Sequence, residues 1–128
     1  DVHMRLIFYK RIANATTHNQ LRELSVELID RFGLLPEPTK LLIRQTELKI
    51  TAETLGIRRI DFGENGGHIE FRSDTLVPAT KIIALIQTSP DRFRMASAHQ
   101  LGILDKIAGR TERFAYVESF LDELAEAA

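Results

Sequence analysis

Glu23, Glu27 and Asp30 follow one another at spacings of four and three, so on a helix they fall in one stripe. Carboxylates held in a row on a rigid support accept charge-assisted hydrogen bonds from the guanidinium groups of a partner. The same row also suits a merely solvated face, on which Glu27 pairs with Arg31 at i,i+4 for a few tenths of a kcal/mol. The residues alone leave both readings open.

The other reactive side chains do not assemble into a site. His3, His18, His68 and His99 fall on four separate predicted elements, none is paired at i,i+4, and no acid cluster completes a metal set. Ser25, Ser73, Ser89, Ser97 and Ser119 lack the context of a nucleophile elbow. Gly66-Gly67 precedes a strand pattern, with no Walker lysine and no third spaced glycine, so it reads as a hairpin turn. No catalytic, metal-binding or cofactor-binding residue is expected, and no cofactor.

The basic residues form a second candidate surface. Arg58 and Arg59 open the first strand, Arg92 and Arg94 flank Phe93, and Arg110 and Arg113 open the last helix. Brought together, they could touch phosphates, and a DNA-contacting accessory domain using Arg58, Arg59, Arg110 and Arg113 is the alternative reading. The net charge of −1 leaves no basic footprint over the whole chain. A small hydrolase is a third, weaker reading.

Composition narrows the classes further. The absence of cysteine removes disulfides, thiolate zinc sites and cysteine nucleophiles. No apolar run approaches the roughly 18 residues of a membrane span and no signal peptide is visible, so a cytoplasmic location and no membrane partner are expected. The length of 128 residues suits one domain, 1–128, with a monomer expected. Because it starts at Asp1 and enters a helical pattern almost at once, the chain reads as a piece from the C-terminal side of a longer protein.

Behind the acids stand the elements that must hold them. Met4, Ile7, Phe8 and Ile12 mark a first helix over 4–13, with Asn14 as its stop. Thr17 and Gln20 have capping-box spacing, and Leu21, Leu24, Leu28 and Phe32 form the apolar stripe of a second helix, Ile29 lying at its margin. Gly33 stands where a left-handed cap is wanted, Pro36 blocks continuation, and Pro38 suits the first turn of a third helix. Leu41, Leu48, Ala52 and Leu55 mark its buried side, and Gly56 ends it. The second and third helices should form a helical hairpin, with Phe32, Gly33, Pro36 and Pro38 as its structural turn.

The period then changes from helical to alternating. Ile60 and Phe62, then Ile69 and Phe71, alternate with polar residues on either side of Glu64-Asn-Gly-Gly67, which predicts a β-hairpin. A fourth helix follows Val77-Pro78 to about Gln87, and Ile82, Ile83, Leu85 and Ile86 predict that it is well buried. Residues 93–95 and 101–103 predict a second short strand pair. A final helix from Arg110 has Phe114, Val117, Leu121 and Leu124 on one stripe. The expected class is α+β: three helices with a helical hairpin, then a small antiparallel or mixed sheet of two β-hairpins covered by helices, ending in a helix.

Several segments together resemble a known family. They are Arg5-Leu6, Phe8-Tyr-Lys-Arg-Ile-Ala13, Glu27-Leu-Ile-Asp-Arg-Phe-Gly-Leu-Leu-Pro36, Leu55-Gly-Ile57 and Gly66-Gly67 with Ile69-Glu-Phe71. Over essentially the whole chain, the sequence resembles the C-terminal domain of bacterial transcription-repair coupling factors. The resemblance implies a non-catalytic regulatory domain of an ATP-driven double-stranded DNA translocase that displaces stalled RNA polymerase and recruits UvrA. It implies that the translocase motifs lie outside this chain. It also implies that the domain packs on an N-terminal UvrB-like module and hides that module's UvrA-binding surface, with Glu27 and Asp30 facing arginines and Glu23 extending the stripe. On this reading Glu27 and Asp30 are both exposed, so lysine at both should leave the fold intact and remove binding.

Overall fold

The computed structural model describes residues 2–128. The elements run α1 (Val2–Ala13), α2 (His18–Phe32), α3 (Glu37–Leu55), β1 (Ile57–Gly63), β2 (Gly66–Phe71), α4 (Ala79–Thr88), β3 (Phe93–Ser97), β4 (Gln100–Ile103) and α5 (Arg110–Ala127). Contacts divide the chain into two compact units, one ending at Thr51 and one beginning at Ala52, so the boundary falls inside α3.

The helical unit closes around Phe8, Ile12, Ala15, Leu21, Leu24, Leu28 and Ile50. The i,i+4 and i,i+3 recurrences on α1 and α2 supply most of this set, as the periodicity predicts. Phe8 and Phe32 meet edge to face at 5.8 Å, a geometry that sets a positive ring edge against a negative face. Thr17 caps α2 by accepting from the Gln20 amide at 3.1 Å. The reciprocal half of the expected capping box is shifted by one residue, because the Gln20 side chain accepts from the Thr16 amide, not that of Thr17.

Gly33 ends α2, with its amide donating to the Ile29 carbonyl at 2.9 Å. Its φ of 79° is positive as expected, but its ψ of −145° is not that of a left-handed helical cap. This extended mirror region is open essentially to glycine alone, so the glycine requirement is stricter than a left-handed cap would impose. The Pro36 carbonyl accepts from the Thr39 and Lys40 amides and starts α3, with Pro38 in the first turn. The buried side of α3 differs from the expected stripe. Thr39, Thr46, Ile50, Ala52 and Leu55 are buried, while Leu41 and Leu48 are only half-buried. The two threonines are tolerated inside because each hydroxyl has a partner, Tyr9 Oη for Thr39 and the Leu42 carbonyl for Thr46.

The second unit is built on an antiparallel sheet of order β1-β2-β4-β3. Ile60, Ile69, Leu101 and Met95 form one cross-strand row, and Phe62, Gly67, Ile103 and Phe93 form the next on the same face. That face meets α5. Phe93 stacks on Phe120 at 5.5 Å, and Phe62 meets Tyr116 at 5.1 Å. The buried stripe of α5 is Val117, Phe120, Leu121 and Leu124, so Phe120 takes the place expected of Phe114, which is half-buried.

Gly56 joins α3 to β1 at a φ of +79°, and a Cβ there would lie 2.5 Å from the Thr75 Cα. The close approach lets Thr75 Oγ1 donate to the Leu55 carbonyl and the Arg72 amide donate to that of Gly56.

The expectation that α4 is well buried is wrong. None of its residues is buried, and Ile83 is 51% exposed. Its isoleucines and leucine span more of the circumference than one neighbouring surface covers, and a groove of about 640 Å³, lined by Phe71, Val77, Ile82, Ile86, Met95 and Leu101, runs beside it.

Candidate interaction surface

The three acids of α2 have different surroundings. Glu27 points toward α1, where its carboxylate takes Arg11 Nη1 at 3.3 Å and Arg31 Nη2 at 3.7 Å. The two guanidinium groups also lie over the Phe8 ring, at 5.1 and 5.6 Å from its centroid, and Arg5 lies 5.9 Å from that of Phe32. Glu27 therefore belongs to a layer in which arginines cap the aromatic pair of the core. The expectation of a freely exposed Glu27 is corrected: the residue is half-buried and already paired within the unit. Lysine there would set a third cation against Arg11 and Arg31.

Glu23 and Asp30 are exposed, and among the described residues neither forms an ion pair or a side-chain hydrogen bond. They lie two turns apart on the side of α2 opposite Leu21, Leu24 and Leu28. Val26 and Ile29 beside them are 54% and 47% exposed, and Leu34, just past the helix end, is 95% exposed. Sequence reasoning placed Ile29 at the margin of the core and passed over Val26 and Leu34. The signal for them was their position outside the i,i+3,i+4 stripe.

The arginines of the alternative reading are partly consumed. Arg59 closes on Asp61 at 2.7 Å, and Asp61 also meets His68 at 3.3 Å. Arg113 donates to the carbonyls of Ile107 and Ala108 at 2.9 and 2.7 Å, fixing the chain before α5. Arg58, on the edge strand β1, and Arg110, at the start of α5, are exposed.

One polar network had no sequence signal, because its members are 11 to 24 residues apart. Asp105 Oδ2 accepts from Tyr116 Oη at 2.6 Å and from Arg92 Nε at 3.0 Å, and Arg92 Nη2 reaches Tyr116 Oη at 3.3 Å. Burial, then the Asp105 hydrogen bond, pushes the Tyr116 hydroxyl up to about 12, so it holds its proton and does not serve as a base near neutral pH. The hollow beside it is lined by Arg92, Tyr116, Ser119, Phe120 and the acids Asp122, Glu123 and Glu126, so Ser119 has no histidine beside it there. Among the described residues no group of three histidines or acids could hold a metal ion, and no helix is long and apolar enough to cross a membrane.

Comparison with known proteins places this arrangement in a family. The model of the TRCF domain matches residues 1–82. The transcription-repair-coupling factor of Escherichia coli K12 is 43% identical over 98% of this chain, and that of Haemophilus influenzae is 44% identical over 98%. In both cases the match covers 11% of the relative's length, so this chain spans about a tenth of those proteins. The factor from Buchnera aphidicola (Acyrthosiphon pisum) is 30% identical over 97% of the chain and 15% of its own length. A crystal structure of the C-terminal domain of a transcription-repair coupling factor superposes with a TM-score of 0.74, over 99% of this chain and 82% of that one, at 21% identity, and so shares the fold. Sequence and fold together show that the chain belongs to the TRCF-domain family, as the C-terminal domain of a transcription-repair coupling factor.

Proposed function

We propose that this domain is a non-catalytic regulatory clamp. It docks through the outer face of α2 on the UvrB-like module of the longer protein and masks that module's UvrA-binding surface. The longer protein is then an ATP-dependent DNA translocase that acts on stalled RNA polymerase and recruits excision repair. RNA polymerase, UvrA and double-stranded DNA are its partners only through that parent. The observation that supports the reading best is the pair Glu23 and Asp30, two carboxylates on one rigid helix with no partner among the described residues. Glu27 contributes as an anchor that ties α2 to α1 through Arg11, with one edge turned outward.

Strength and release follow from tethering. Two charge-assisted contacts of about 1.5–3 kcal/mol each are modest between separate molecules, but one chain holds both surfaces at high local concentration. A closed state favoured by a few kcal/mol reopens when DNA and polymerase engagement offsets it. In the full-length factor, Glu23→Lys with Asp30→Lys should raise resting UvrA capture toward that of a protein lacking this domain. Unchanged capture would remove the clamp role.

The DNA-contacting alternative rests on Arg58 and Arg110, since Arg59 and Arg113 are engaged within the domain. Salt-dependent binding of the chain to duplex DNA, lost in Arg58→Gln with Arg110→Gln, would favour it.

A further inference from the structure

Val26 lies three residues from both Glu23 and Ile29 and four from Asp30, so these side chains are immediate neighbours on the surface of α2. Single exposed aliphatic residues are ordinary. Here two of them adjoin carboxylates that, among the described residues, have no partner. Leu34, 95% exposed past the helix end, is not part of this strip: it lines a hollow with Arg5, Tyr9, Leu28 and Phe32.

Acids alone make a weak contact. Exposed ion pairs contribute about 0–1 kcal/mol because water and salt screen them. They strengthen when apolar neighbours exclude water, the arrangement of interface centres with a polar surround. Arg22 flanks Val26 on the other side and donates to Asn19 Oδ1 at 3.2 Å, so the negative charge is confined to one edge of the strip.

Resting on the reading of α2 as the docking face, we propose that Val26 and Ile29 form the desolvated centre of that contact. Glu23 and Asp30 are then its charged edge. The occupant is a protein surface with an apolar patch bordered on one side by arginine or lysine. Charge complementarity selects it: nucleic acid would be repelled by the acids, and a wholly polar basic surface would leave the strip without a partner.

The test titrates the 128-residue chain with the UvrB-like module at low and high salt. Glutamine keeps helix propensity while removing apolar surface. Val26→Gln with Ile29→Gln should weaken binding about tenfold or more at both salt concentrations. Glu23→Gln with Asp30→Gln should instead flatten the salt dependence. Binding by the apolar double variant within about twofold of wild type would overturn the proposal and leave the docking face standing. Self-association of the chain that Val26→Gln with Ile29→Gln abolishes would assign the strip to a second copy and overturn it too. A wild-type chain that fails to bind the module at either salt concentration removes the docking reading itself, and the proposal with it.

Discussion

In the sheet unit, Arg59, Arg72, Lys81 and Arg92 each close on a carboxylate of the same unit, and Arg113 closes on two backbone carbonyls. In the helical unit, Arg11 and Arg31 converge on Glu27, while Glu23 and Asp30 on the same helix have no partner among the described residues. The apolar surfaces contrast in another way. The sheet unit leaves a groove beside α4 with no charge of consistent sign around it, whereas α2 sets its exposed aliphatic residues against unpaired acids. Charge consumed inside a unit holds that unit together. Charge left over on a rigid element is available to a partner. That contrast supports the proposal that α2 is the docking face, with Arg58 and Arg110 among the charges the sheet unit leaves exposed.

The largest effects should come from the glycine joints and the two aromatic cores. Gly56→Ala in the sheet unit meets both a positive φ and the Thr75 backbone, and should cost about 3 kcal/mol or more by denaturant unfolding. Gly33→Val in the helical unit meets open space, so only its backbone conformation is strained, at about 1–3 kcal/mol. An equal loss at both sites would mean that the close packing at Gly56 relaxes freely. Phe120→Ala and Phe8→Ala should each cost about 3–5 kcal/mol, because each ring is packed against another aromatic residue in its own unit. Separate melting transitions in these two variants would show that the units unfold independently.

Smaller effects probe the polar networks. Tyr116→Phe removes the hydroxyl from Asp105 and Arg92 and should cost about 1–2 kcal/mol near neutral pH. The folded-state Tyr116 titrates at about 12, above its ordinary value of 10, so its neutral form is the one the fold favours. That stabilisation is complete below pH 10 and is lost as pH rises through about 12. Wild type and Tyr116→Phe should therefore converge in stability across that window when melted at increasing pH. Glu27→Lys should cost about 1 kcal/mol, because it replaces the carboxylate that Arg11 and Arg31 share. Asp30→Lys should change stability by less than about 0.5 kcal/mol. The order of these two melts separates the anchor from the free acid.

Most of the fold was legible because local pattern and global structure agree. The 3.6-residue recurrence gave α1, α2 and α5, the glycine and proline positions gave the α2–α3 turn, and alternation gave both hairpins. What failed depends on partners distant in sequence. Apolar spread around α4 says nothing of how much neighbouring surface exists to cover it. Thr39 is buried because Tyr9, from another helix, satisfies its hydroxyl, which no hydrophobicity pattern encodes. The acidic stripe was legible as a stripe, but its division into an anchor and two free acids was not, because Arg11 is brought to Glu27 from another helix.

Docking through α2 is probed most directly by titrating the chain against the UvrB-like module with Glu23→Lys and Asp30→Lys together, leaving Glu27 in place. The melting temperature should be unchanged, and binding should weaken by a factor on the order of a hundred at low salt, with the difference shrinking at high salt. Binding of the double variant equal to wild type at both salt concentrations would contradict docking through α2.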